Sequence, residues 1–478
     1  MHTAPFHTAL SAPIRALRCC LLAAGLAVAL AGCASSRVGK AAQTATGFAS
    51  QLLCDDVFVT GIDAQTAFAE RIEPMPGMGL AVASLKRDVD LQRGEVTVSL
   101  AGGYVSRARY REGLGCVAIP AGEPEPPDAP PPAIPLGPAI LPEIAQAALV
   151  APGGTLQAAI RRAVVDVDGT PRHRTKAIVV LRDGKLIAEA YAQGYGVDTP
   201  VLGFSMSKSV TNALVGILVR QGRLALDQPA PVPAWSDPAD PRHAITVEQL
   251  LRQTSGLDLP QNNSGFDITS QIMYTARDKA GASAEAPLAV APGTRWAYTD
   301  TNYMLLSRIV RDAVGGSAAD VHAFAQAELF GPLGMRHVVI DFDATGTPIG
   351  SSHVLASARD WARFGQLYLD DGVVGGRRIL PAGWVQFSAT PTLATGYGAG
   401  WWTNRAEGKV PGWGAPWGLA NAPKDAFFAR GFMGQFTVVI PSRQLVIVRL
   451  SVSHVRGDDI EETDRIVGEA LAAIEAAP

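Results

Sequence analysis

Histidine, cysteine and charge are all scarce in this 478-residue chain, and each shortage removes a class of function. The eight histidines are scattered, with no H-x-H or H-E-x-x-H spacing. That gives a metal-dependent hydrolase little support and predicts neither metal nor other cofactor. Charged residues make up 18% of the chain, the formal net charge is −3, and no basic stripe is present, which argues against a nucleic-acid partner. No internal repeat is present. The apolar run Cys19–Leu30 is too short to span a bilayer as a permanent helix. What remains is 47% hydrophobic, enough to bury one large core with a small extra region beside it.

The beginning of the chain reads as an address. Arg15 and Arg18 supply positive charge ahead of the apolar run, which ends in Leu30-Ala31-Gly32-Cys33. This ending resembles the lipobox of bacterial lipoproteins, which implies removal of residues 1–32 and lipidation of the Cys33 sulfur. The alternative is an ordinary secretory peptide cut nearby. Ala34, where an aspartate would signal retention, favours the outer membrane if the cell is Gram-negative. The expected location is therefore the periplasmic side of a membrane, reached through a lipid anchor. Of five cysteines, Cys19 and Cys20 leave with the signal and Cys33 takes the lipid. Cys54 and Cys116 remain as an even pair in an oxidising compartment, which predicts a disulfide.

The mature chain divides into three parts. Residues 33–119 form a small disulfide-linked region with alternating, strand-like segments such as Glu95-Val96-Thr97-Val98-Ser99-Leu100. Residues 120–142 hold ten prolines in 23 positions and read as a semi-rigid polyproline spacer. Residues 143–478 read as one catalytic domain. It opens with an amphipathic helix near 155–165, followed by strands Lys176–Leu181 and Lys185–Tyr191 joined at Asp183-Gly184. It closes with strands Phe436–Ile440 and Leu445–Val452 and a helix from Ile460 to Ile474. Strands at both ends with helices between them predict an α+β domain whose termini pair in one antiparallel sheet.

The chemistry centres on Ser205-Met206-Ser207-Lys208, the only S-x-x-K in the chain. A helical pattern (Val210, Leu214, Ile217, Leu218) follows, so Lys208 shares a face with Ser205 and its amine reaches the hydroxyl. A serine at a helix start has its own N–H and the positive end of the helix dipole behind it. A desolvated lysine with a lowered pKa would take the hydroxyl proton and make Ser205 a nucleophile.

Further segments fall in a fixed order. They are Leu250-Leu251-Arg252-Gln253-Thr254-Ser255-Gly256-Leu257, Pro292-Gly293-Thr294-Arg295-Trp296-Ala297-Tyr298, Leu333-Gly334-Met335, and Ser357 through Gly365. With Ser205–Lys208 they make residues from about 150 to 475 resemble the class C β-lactamase-like serine hydrolases. That family includes DD-peptidases, esterases and 6-aminohexanoate-dimer hydrolases. The resemblance implies an antiparallel sheet flanked by helices, an all-helical region, and an active site between the two. It implies that Ser205 is acylated, that Lys208 activates it, and that Tyr298 relays the proton to the leaving group. It also implies an oxyanion hole built from the backbone N–H groups of Ser205 and Phe432. The expected partner is a small amide, ester or peptide. A DD-peptidase, a weak β-lactamase and a catalytically silent binder are the alternatives.

Two positions depart from the family pattern. Tyr298-Thr299-Asp300 carries a carboxylate where Y-x-N is usual, so Asp300 is either a substrate contact favouring an amine or neutral chain, or a helix N-cap. Ala429-Arg430-Gly431 stands in place of K-T-G, so Arg430 and Gly431 are candidate substrate-binding residues, with Arg430 displaced by one and able to face away. Both changes disfavour efficient β-lactamase action. Other aromatics and charges have blander readings. Tyr298 is otherwise a core aromatic, Trp401 and Trp402 are core and pocket wall, Arg359-Asp360 starts a helix and pairs locally, and His454 is a satisfied surface residue.

Overall fold

The computed structural model describes residues 36–478 apart from 76–77, 79–81, 102, 120–121, 127–154, 166–173, 406–417, 455–456 and 477–478. Residues 1–32, read above as a signal, Cys33 and most of the proline-rich spacer lie outside the described residues.

The main sheet has six strands in the order 402–403, 427–431, 435–440, 445–451, 175–182 and 185–191, every neighbour antiparallel. The two ends of the domain pair as expected, with Val448 opposite Val179 and Leu445 opposite Arg182. Asp183 and Gly184 turn the first hairpin at φ of +51° and +70°, the left-handed pair that matches strand twist. The strands read as continuous apolar runs because helices cover both faces. Val179, Leu181, Val446 and Val448 pack with the helices Ser207–Arg220 and Ala358–Leu369. Ile178, Val180, Val438 and Ile447 pack with Thr155–Ala163 and the C-terminal helix Asp458–Glu475. An all-helical region, dominated by Asp300–Val314, lies between residues 247 and 333.

Residues 36–119 begin with a helix, Arg37–Cys54, whose N-cap Ser36 accepts from the Gly39 N–H at 3.0 Å. A four-stranded meander follows: Leu85–Asp90, Glu95–Leu100, Tyr104–Arg111 and Gly115–Ile119. Val96, Val98, Ala108 and Cys116 are buried with Leu52 and Leu53 of the helix, which is the alternation read at 95–100. The helix itself was not expected. Its buried positions are mostly Ala, Gly, Thr and Ser, which carry little periodic hydrophobicity. Gly47 shows why: a Cβ there would lie 2.3 Å from the Tyr274 carbonyl oxygen. Cys54 and Cys116 are bonded, with Cα atoms 6.1 Å apart.

This region, expected as a separate small unit, shares a core with the hydrolase domain. Leu52, Cys54 and Cys116 pack in one cluster with Leu202, Phe204, Leu355 and Met433. Polar ties reinforce the seam. Lys176 Nζ meets the Glu70 carboxylate at 2.7 Å, Arg174 donates to the Glu70 carbonyl at 2.9 Å, and Arg111 donates to the Phe342 carbonyl at 3.2 Å. His454 is no surface residue: it is half-buried, with Nε2 at 2.6 Å from the Glu70 carbonyl. Arg359 starts its helix but pairs across the fold, with Glu189 at 2.6 Å, where a local partner was expected.

Candidate active site

The nucleophile turn is held from behind. Gly203 N–H donates to the Val354 carbonyl at 2.9 Å, and Phe204 takes a positive φ of +45°. That left-handed residue is costly for a bulky side chain. Residues 204–206 make one 3₁₀ turn that runs directly into the helix Ser207–Arg220. Ser207 and Ser209, near-neighbours of Ser205 in sequence, face inward: Ser207 Oγ accepts from the Val354 N–H at 2.9 Å, and Ser209 Oγ donates to the Gly400 carbonyl at 2.6 Å. Ser205 alone of the three is partly exposed.

Lys208 is 1% exposed and makes three hydrogen bonds. Its Nζ donates to Ser205 Oγ at 3.1 Å, to the Ser351 carbonyl at 2.9 Å, and to Asp300 Oδ1. It also stands 4.8 Å from the centre of the Tyr298 ring. A lysine that is neutral, or that shares a proton with Tyr298, was the expectation, and its surroundings favour the second. Burial pulls the pKa down, but the Asp300 carboxylate, then the Tyr298 oxygen, outweigh it, so the lysine is raised above its ordinary value and carries a charge.

Asp300 opens the helix Asp300–Val314 as its first residue, while Thr299 is the N-cap, its hydroxyl accepting from Thr301 N–H. Asp300 is therefore not the cap. Nor is it a free anion facing substrate: Oδ1 holds Lys208 and Oδ2 accepts from Gln261 Nε2 at 2.7 Å. The T-S-G-L segment braces the tyrosine loop. Gln253 Nε2 donates to the Thr299 carbonyl at 2.9 Å and its Oε1 accepts from Asn302 at 2.7 Å. Gly293 N–H donates to the Thr254 carbonyl at 2.7 Å. Around Tyr298 stand Trp402, stacked at 5.8 Å, Tyr397, edge-on at 5.8 Å, and Trp296 at 6.2 Å. Trp402 is thus a wall beside Tyr298, and Trp401 lies in the core, 4.3 Å from Tyr368.

The strand Phe427–Gly431 closes the other side of the site. A Cβ on Gly431 would lie 2.1 Å from the Gly203 carbonyl oxygen, so only glycine lets the strand end abut the nucleophile turn. Phe432, next in sequence, rests edge-on against Phe204 at 5.5 Å and is partly exposed. Its ring thus lies against the turn that bears Ser205. Arg430 turns to the opposite face of the sheet, where it pairs with Asp459 of the C-terminal helix at 2.8 Å. It is an internal tie rather than a substrate ligand. Gln253, Gln261, Ser351 and Tyr397 were missed in the sequence. Gln253 lay inside a motif already noted, while the other three had no local signal.

Ser205 and Lys208 from one segment and Tyr298 from another form the arrangement expected for an activated serine. The beta-lactamase family model matches residues 160–472 of the chain. The chain belongs to that family. Among curated relatives, the 6-aminohexanoate-dimer hydrolase of Paenarthrobacter ureafaciens is 28% identical over 227 residues, 44% of this chain. The match spans only about half of that relative, 56% of its length. Esterase EstB of Burkholderia gladioli is 30% identical over 187 residues, 33% of this chain and 45% of the esterase. The crystal structure of a penicillin-binding protein homolog from Caulobacter crescentus superposes with a TM-score of 0.52 at 17% identity, covering 68% of this chain and 98% of its own. It shares the fold. The chain thus belongs to a family of serine hydrolases and has the β-lactamase/transpeptidase-like α+β fold, extended by the small N-terminal sheet.

Proposed function

We propose that the protein is an exported, lipid-anchored hydrolase that cleaves small amides and esters through an acyl-enzyme on Ser205. The observation that carries this reading is the 3.1 Å hydrogen bond between Lys208 Nζ and Ser205 Oγ, with the Tyr298 ring 4.8 Å from the same nitrogen. In the attack, Ser205 Oγ bonds to the substrate carbonyl carbon while its proton leaves. A charged Lys208 has no lone pair to take that proton. The active form is then the one in which the Lys208–Tyr298 pair holds a single proton, kept on Lys208 by Asp300, so that the Tyr298 oxygen is the acceptor. The same oxygen returns the proton to the departing amine or alcohol. Water then attacks the ester of Ser205 as Tyr298 takes its proton, releasing the acid and restoring the serine. The N–H groups of Ser205 and Phe432 are suited to receive the oxyanion in both steps.

Amide and ester substrates are favoured by the named activities of the two curated relatives, a dimer hydrolase and an esterase. A penicillin-like carboxylate is disfavoured because Arg430 is committed to Asp459. The lipobox-like segment supports export and anchoring at Cys33. The test is intact-mass analysis of the full-length chain after a fluorophosphonate, beside Ser205→Ala and Lys208→Ala. One adduct is expected, absent in the Ser205 variant and slowed at least about 100-fold in the Lys208 variant. An unmodified wild-type protein would sink the proposal.

A further inference from the structure

Behind the catalytic lysine lies a second polar cluster that the hydrolytic chemistry does not use. Asp55, Asp341 and His353 are all buried, and each offers a ligand atom within 4.8 Å of the others. They come from the two parts of the molecule that meet there, Asp55 from the N-terminal module and the other two from the body of the fold. Asp55 follows the half-cystine Cys54, where the N-terminal helix loosens into a π-helical turn, Asp55–Thr60. Asp341 sits in the hydrolase domain beside the second half-cystine. His353 lies two residues after Ser351, whose carbonyl accepts from Lys208.

What marks the cluster is how its polar atoms are divided. The outward atoms are tied down: Asp341 accepts from the Cys116 N–H at 2.9 Å and from Gln51 Nε2 at 2.8 Å. His353 Nδ1 meets Ser352 Oγ at 2.6 Å. The atoms that face one another are poorly served: His353 Nε2 has no hydrogen-bond partner and Asp55 meets only the facing Asp341 carboxyl, although all are buried. His353 Nε2 and Asp55 Oδ2 are 3.9 Å apart, too far to hydrogen-bond yet close enough for two ligands of one ion. Outer partners that orient a histidine and a carboxylate while their inner atoms converge are the usual surroundings of a bound metal. Two carboxylates facing one another in a dry interior require something positive between them.

We propose that Asp55, Asp341 and His353 hold one divalent transition-metal cation, with zinc the best fit to one imidazole and two carboxylates. The ion pins the N-terminal module to the hydrolase domain and fixes the His353 segment, and through it the Ser351 carbonyl that orients Lys208. Its role is structural, because the ligands are enclosed and none faces Ser205. The competing arrangement is a proton shared between the carboxyls, which burial favours by raising Asp341 to about 7 and Asp55 well above its ordinary value.

The test is the metal content of the full-length chain purified without chelator, then its melting temperature at pH 8 during zinc titration of chelator-stripped protein. Asp55→Asn and His353→Gln serve as variants. The proposal predicts about one zinc per chain and a melting temperature raised by about 3 °C or more on zinc addition, with both effects lost in each variant. No retained metal and no zinc-dependent shift in the wild type would overturn it, and Asp55→Asn melting above wild type at pH 8 would assign the shared proton instead. A zinc shift that persists in both variants would show adventitious binding and overturn it equally. The wild-type titration stands even if a variant fails to fold.

Discussion

A carboxylate one hydrogen bond from Lys208 decides where the proton of the Ser205–Lys208–Tyr298 set resides. Asp300 holds Lys208 charged although burial alone would discharge it. Removing that anion in Asp300→Asn lowers the lysine pKa toward what burial dictates. Because the active pair must have given up one proton, the acid limb of kcat/KM should move to lower pH, by about 1 unit or more. Ser205 should still be labelled by a fluorophosphonate, which separates a shifted ionisation from a collapsed site. A pH–rate profile that superposes on the wild type would remove Asp300 from the proton inventory. None of this was legible from residue type. The tyrosine motif placed Asp300 near the site, but a free anion facing substrate, an N-cap and a lysine partner all fit one letter in one line of text. Only the distance across 92 positions between Asp300 and Lys208 separates them.

At the scale of elements, the contact between the strand Phe427–Gly431 and the nucleophile turn is the joint on which catalysis depends. Gly431→Ala places a methyl group where the Gly203 carbonyl stands 2.1 Å away, so one element must withdraw. The Phe432 N–H moves with the strand, and a misplaced oxyanion donor costs about 10²–10³-fold in kcat. The expected outcome is that loss, with KM little changed and the circular dichroism spectrum of the folded protein retained. An undiminished kcat would mean that Phe432 does not serve the oxyanion. Elements built on long apolar or alternating runs were readable: both hairpins, the closing helix and the strand 95–100 stand within about two residues of where periodicity put them. Two kinds of element were not. The helix Arg37–Cys54 buries small residues and so has little hydrophobic rhythm. The left-handed Phe204 turn exists because its neighbours impose it, and no local propensity predicts a phenylalanine there.

Across the whole molecule, the N-terminal module and the hydrolase domain behave as one cooperative body because they share a core around Cys54, Cys116, Phe204 and Met433. Replacing both half-cystines in Cys54→Ser/Cys116→Ser should lower stability by about 2–4 kcal/mol. Activity should then be lost at the same temperature as the global melt, since the loosened module also supports the nucleophile turn. Calorimetry and a thermal inactivation curve would decide this, and two resolved transitions would show that the module unfolds independently. The proline-rich stretch read as a semi-rigid spacer between the N-terminal region and the rest of the chain. The burial of Asp341 under Gln51 and Cys116 was invisible because contacts between distant segments leave no mark in a single sequence.

The strand 445–451 lies inside the sheet, between 435–440 and 175–182, yet it leaves the ribosome long after the strand 175–182. Until it arrives, the strand 175–182 lacks one of its two neighbours and the sheet cannot form beneath the Ser205 helix. Pairing over so long a sequence separation is slow as well as late. Until strand 445–451 has been made, a nascent chain is therefore threadable and chemically inert. On the export proposed above, the chain would cross the membrane before it can cut anything, with the timing written into strand order alone.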